Sequence, residues 1–147
     1  IATYLKSLPP GKNALTDVPP ADSGRTLQAL NAGDYRQAGA AGYVEFCVTC
    51  HRADGTGFSR VFPALAGNPS VMAKDPTSLI HIVLAGGHMA TTQHDKLHFA
   101  MPAFTQLSDQ EATDILNFIR SSWGNRADRV SLGEVASVRS TLPPAHE

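Results

Sequence analysis

Apolar residues fall into short runs at helical spacing, parted by stretches of proline, glycine and small polar residues. Ile1, Tyr4, Leu5 and Leu8 mark one face of a helix that Pro9-Pro10-Gly11 ends. From residue 11 to 33 the chain reads as a linker, with a helical turn near Arg25 to Ala32. Asp34 and Gln37 predict a capping box, opening a helix on which Gly39, Tyr43 and Cys47 share a face. Asn68-Pro69 and Asp75-Pro76 each set a capping residue before a proline, the preferred opening of a helix. The second of these helices presents Leu79, Ile80, Val83 and Leu84 on one face and stops at Gly86-Gly87. Ser108 and Glu111 predict another capping box, for a helix that buries Ile115, Leu116, Phe118 and Ile119 and closes at Trp123-Gly124. Ser131 and Glu134 repeat the device before Val135, Val138 and Leu142. A helix with a single apolar stripe must lie on something, either its own domain or a partner subunit.

The order of residue types in Ile1 to Ser7 returns in Ile115 to Ser121: isoleucine, two residues, an aromatic, an aliphatic, a base, a serine. We therefore expect residues 1–10 to be the last helix of a preceding domain of the same kind, in a protein with such domains in series. The divisions then are a linker at 11–33, the main domain at 34–125 and a tail at 126–147.

Composition changes this picture only modestly. A chain of 147 residues suits one domain with tail to spare, and an apolar fraction of 42% lies slightly below the usual globular range. A net charge of −1, with pI about 6.6 and no basic run, argues against nucleic acid and against an anionic membrane surface. No apolar stretch approaches the length that spans a bilayer.

The chemistry is concentrated in Cys47-Val48-Thr49-Cys50-His51, which holds both cysteines of the chain. Two thiols separated by two residues, with an imidazole directly after the second, are what covalent attachment of haem requires. A zinc site would need a second pair of ligands, and a redox dithiol would sit at a strand end in a βαβ pattern. Neither context is present. Met101, in Phe99-Ala100-Met101-Pro102-Ala103-Phe104, carries a soft thioether suited to low-spin iron. Met72 reads as gap filler in a presumed helix, Met89 as a loop residue and His81 as a structural histidine. The polar stretch 87–98, with His88, His94 and His98, reads as a solvated loop at the haem edge.

With C-V-T-C-H, F-P-A-L-A-G, P-T-S-L-I-H-I-V-L-A-G-G, M-P-A-F and N-F-I-R-S-S-W-G-N in place, the region from about Gly33 to Asn125 resembles a class I cytochrome c domain. More narrowly, it is similar to the third haem domain of the three-haem cytochrome c subunits of membrane-bound bacterial dehydrogenases for alcohols, sugars and sugar acids. The resemblance implies an all-α fold of about three to five helices around one covalent haem c. Gly39 and Tyr43 would then let the first helix cross closely over the last. It implies His51 and Met101 as iron ligands, Cys47 and Cys50 as attachment points, and the Pro63 carbonyl as acceptor for the second ring nitrogen of His51. Trp123 either donates to a haem propionate or closes the core at a helix end.

The implied function is electron transfer rather than catalysis. The donor would be the flavin- or quinone-dependent catalytic subunit of a dehydrogenase, and the path would run through neighbouring haem domains toward membrane quinone. The implied location is periplasmic, with a signal sequence lost upstream. The alternatives are a haem enzyme or gas sensor with an open sixth position, and a haem domain with a purely structural role.

Overall fold

The computed structural model describes residues 23–59, 61–88 and 99–143. In chain order its helices are α1 (Ser23–Asn31), α2 (Ala40–Phe46), α3 (Val48–His51), α4 (Thr77–Ala85), α5 (Asp109–Ser121) and α6 (Leu132–Thr141). Between α4 and α5, β1 (Gly87–His88) pairs antiparallel with β2 (Ala100–Met101). The helix expected over Ile1 to Leu8 lies outside the described residues.

Helix α5 is the keel. The Ser108 hydroxyl accepts from the Glu111 N–H at 3.2 Å, and the Glu111 carboxylate accepts from the Ser108 N–H at 2.8 Å, so the capping box is complete. Ala112, Ile115, Leu116, Phe118 and Ile119 are buried along its inner face. Helix α2 crosses it at two glycines. A Cβ on Gly39 would drive into the Asp114 carbonyl and stand 2.7 Å from the Ile115 nitrogen, and one on Gly42 would meet the Ile115 side chain at 2.7 Å. With those contacts made, Tyr43 packs on Phe118 and Trp123 at centroid distances of 5.3 and 5.0 Å. This aromatic cluster sits directly behind the turn that carries Cys47.

Three local expectations give way to tertiary structure. Asp34 caps nothing: its carboxylate accepts from the Arg36 guanidinium at 2.8 and 2.6 Å, and α2 begins only after Gly39, whose φ is +85°. Gln37 instead donates to the Ser121 hydroxyl at 3.2 Å. Asn68-Pro69 opens a turn, not a helix, and Met72 is exposed rather than filling a gap. The cause is the buried Arg120, which claims the Val71 and Ala73 carbonyls at 2.7 and 3.0 Å, groups a helix would have used itself. The β1–β2 ladder was not expected in an all-helical chain. Gly86, at φ +70°, turns the chain out of α4 and into it.

The helical turn expected near Arg25 is α1, and it docks against the body of the fold. Leu30 is buried, and the Thr26 hydroxyl accepts from the Trp123 N–H at 3.2 Å. At the other end, α6 keeps its Ser131–Glu134 capping box and packs on α4 and α5 through Val135 and Val138. Its apolar stripe is thus covered by its own chain. Asn117 clamps the approach to α6, donating to the Val130 carbonyl at 2.9 Å and accepting from its N–H at 2.8 Å. Among the described residues, no helix is long and apolar enough to cross a membrane.

Candidate functional site

Cys47 ends α2, and its N–H donates to the Tyr43 carbonyl at 2.9 Å. Cys50 and His51 lie in α3, a single turn closed by the His51 N–H to the Cys47 carbonyl at 2.9 Å. Five consecutive residues therefore hold two sulfurs and an imidazole on one surface. The backbone just after them is pinned: Arg52 has φ 64°, and its carbonyl accepts from the buried Tyr43 hydroxyl at 2.7 Å. A non-glycine residue in that conformation carries strain, which persists where the surroundings impose it.

His51 is buried, and its Nδ1 lies 2.9 Å from the Pro63 carbonyl oxygen. A carbonyl can only accept, so Nδ1 carries the proton and Nε2 keeps its lone pair. Burial holds the imidazole below its ordinary pKa and outweighs the opposing pull of the Pro63 carbonyl. The ring is thus neutral and ready to ligate. Pro63 reaches it because of Gly57, at φ +64°, where a Cβ would stand 2.6 Å from the Pro63 oxygen. Burial, with the neighbouring Cys50 adding to it, pushes the Cys47 thiol up to about 12.

The thiols and His51 open onto an apolar cleft of about 230 Å³ that is partly open to solvent. Met101 lines the same cleft from β2, opposite Gly87 in the ladder. Phe46, Phe62, Ile82 and Phe104 supply much of the remaining wall. Cys47, Cys50, His51, Pro63 and Met101 are therefore brought together from three separated parts of the chain.

Trp123 is not. It does not line the cleft; its indole N–H donates to the Ala53 carbonyl at 2.9 Å, and its ring packs against Tyr43 and Phe118. Of its two expected roles, the structure carries the core aromatic, because the N–H is already committed within the protein. His81 is exposed on α4, and Met89, His94 and His98 lie outside the described residues. Among the described residues, no three or more His, Cys, Asp or Glu gather as a bare-metal site. Three contributors are not assigned their part in the site by sequence: Gly57 stands in a turn-rich run, Gly86 reads as a helix stop and His88 belongs to a solvated loop. The signal for the glycines is their place in turns that need φ > 0, as in Gly55-Thr56-Gly57.

A helical fold closed over a cleft with two thiols, a neutral buried imidazole and a thioether defines a c-type haem protein. Residues 37–123 match the cytochrome c family, and the chain belongs to it. The chain is 45% identical over 148 residues to the cytochrome c subunit of the quinone alcohol dehydrogenase of Gluconobacter oxydans, covering 97% of this chain and 30% of that protein. It is 45% identical over 142 residues to the gluconate 2-dehydrogenase cytochrome c subunit of Pantoea cypripedii, covering 95% of this chain and 32% of that one. Cytochrome c-552 of Thermus thermophilus is 33% identical over 108 residues, 69% of this chain and 73% of its own length. The chain spans about a third of the length of the two dehydrogenase subunits. Family membership implies covalent haem c, and the donors here fit it: thiols for the thioethers, neutral nitrogen and sulfur for iron, and apolar walls for the ring.

Proposed function

We propose that this chain is an electron-transfer unit holding one low-spin haem c between His51 and Met101. The observation that carries the reading is the convergence of these two side chains, with both thiols, on one apolar cleft. Bound there, the haem supplies a one-electron couple. Cys47 and Cys50 anchor it as thioethers. His51, with Nδ1–H held by Pro63, presents Nε2 with little freedom to rotate. The soft sulfur of Met101 favours the reduced metal and so raises the potential. Phe46, Phe62 and Phe104 form part of the apolar wall that would limit water at the ligands.

The unit would serve as the third haem domain of a longer three-haem subunit in a membrane-bound dehydrogenase for alcohols, sugars or sugar acids. Electrons would come from the flavin or quinone cofactor of the catalytic subunit and pass through neighbouring haems toward membrane quinone, on the periplasmic side. Two findings support this: relatives with dehydrogenase-subunit names align along nearly the whole chain yet extend well beyond it, and the residue order of 1–7 repeats at 115–121. Two further C-x-x-C-H motifs in the upstream gene sequence are the expected result.

The axial assignment is tested on the oxidised haem-loaded protein. A weak far-red methionine-to-iron band is expected, lost in Met101→Ala and retained in Met89→Ala. A five-coordinate high-spin iron in the native protein would falsify the carrier reading in favour of a haem enzyme or gas sensor. Failure of a dehydrogenase partner with its substrate to reduce the haem would leave only a structural role.

A further inference from the structure

Gly86, just past the end of α4, governs how closely the Met101 segment can approach. At Gly86 a Cβ would stand 2.6 Å from the Met101 carbonyl oxygen, 2.7 Å from the Ala103 nitrogen and 2.9 Å from the Pro102 carbonyl carbon. With φ at +70° as well, the position admits only glycine at ease. Beyond it, Gly87 pairs with Met101 and His88 with Ala100, and the ladder is two residues long. The next backbone tie to α4 is the Phe104 N–H to the Val83 carbonyl at 3.1 Å. The backbone of Met101 is therefore tied to α4 by a short seam, while its half-buried side chain packs against the edge of the core.

His88 stands beside that seam. It lines the same cleft as His51 and Met101 and is exposed, and none of the hydrogen bonds among the described residues engages its imidazole. His81, one helix earlier, does not line the cleft. In a ladder, neighbouring positions face opposite sides, and a slip of one residue exchanges them. A two-residue ladder offers little resistance to such a slip.

We propose that His88 is a reserve ligand for the iron, taking the sixth position when Met101 leaves it, and that the Gly86 contact is what keeps Met101 seated. The proposal rests on Met101 being the resident ligand. In the exchange the bond from iron to the Met101 sulfur breaks and one to a His88 ring nitrogen forms. One lone-pair donor replaces another, so the exchange needs no oxidant or reductant. Imidazole favours the oxidised metal relative to a thioether, so the exchange lowers the potential and turns a good acceptor into a poor one. The seam thus acts as a ligand selector built into the loop.

The test uses the haem-loaded protein in its oxidised form near neutral pH, read by visible, far-red and electron-paramagnetic spectra. Met101→Ala is expected to lose the methionine band yet stay low-spin with the signature of two imidazoles, independent of protein concentration. Met101→Ala with His88→Ala is expected to turn high-spin. Gly86→Ala should reproduce the first result with Met101 still present, together with a lower reduction potential. A high-spin Met101→Ala protein overturns the role of His88 while leaving Met101 as ligand. A double variant that stays low-spin overturns it too, assigning the capture to another residue such as His94 or His98. An unchanged native spectrum in Met101→Ala removes the Met101 reading itself, and a methionine band retained in Gly86→Ala overturns the seating role.

Discussion

The two walls of the haem cleft are built in opposite ways. The His51 wall comes from five consecutive residues, on a turn backed by Tyr43, Phe118 and Trp123 and keyed into α5 through Gly39 and Gly42. The Met101 wall is a two-residue strand leaning on the end of α4, with Phe104 and Phe99 on either side packed against Phe46 and Phe62 at centroid distances of 5.8 and 5.2 Å. One wall is a single turn backed by a buried aromatic cluster; the other joins a short strand pair to separate ring contacts. If the haem is held as proposed, the His51 wall would fix it and the Met101 wall would tune it.

The largest test of this contrast is Gly39→Ala. The new methyl group would enter the Asp114 carbonyl at a residue with φ +85°, so α2 must lift from α5. A loss of about 3 kcal/mol in unfolding free energy is expected from denaturant titration. A loss below about 1 kcal/mol would show that the crossing does not brace the His51 wall. Pro63→Ala should do much less. The acceptor is a backbone carbonyl and survives the change, leaving only the extra freedom of the unfolded chain, about 1 kcal/mol or less. The Met101–iron bond should nevertheless open at a lower denaturant concentration, as the far-red band reports, and an unchanged midpoint for that band counts against coupling between the walls.

The smallest effect lies away from both walls. Glu111 and Glu134 sit below the ordinary glutamate pKa because the Ser108 and Ser131 groups they cap hydrogen-bond the ionised carboxylate. Their contribution is complete above the ordinary glutamate pKa. It is lost as pH falls, because the unfolded chain takes up the protons first. Glu111→Gln with Glu134→Gln should flatten the acid limb of a stability-against-pH curve without altering the haem spectrum. An acid limb of unchanged slope would exclude the caps as its source.

What could be read along the chain was local. The capping boxes at Ser108 and Ser131 form as expected because donor and acceptor are three residues apart and no competitor intervenes. Asp34 fails as a cap because Arg36, two residues on, takes its carboxylate. Asn68-Pro69 fails as a helix start because Arg120, about fifty residues away in sequence, removes the carbonyls it needed. The first competitor is a near neighbour along the chain; the second comes from a distant segment, which no local pattern contains.

The sequence by itself determined that Cys47, Cys50 and His51 stand together, since they fall within about one helical turn and need no other segment to bring them there. It also determined which faces of α4 and α5 are buried, because apolar spacing fixes a helix face directly. Only the tertiary structure decided that the Trp123 indole N–H goes to Ala53, that Gly57 admits the Pro63 carbonyl to His51, and that Gly86 brings Met101 to the cleft beside His88. Each of these depends on two backbones meeting at van der Waals distance, a condition set by packing across the whole fold.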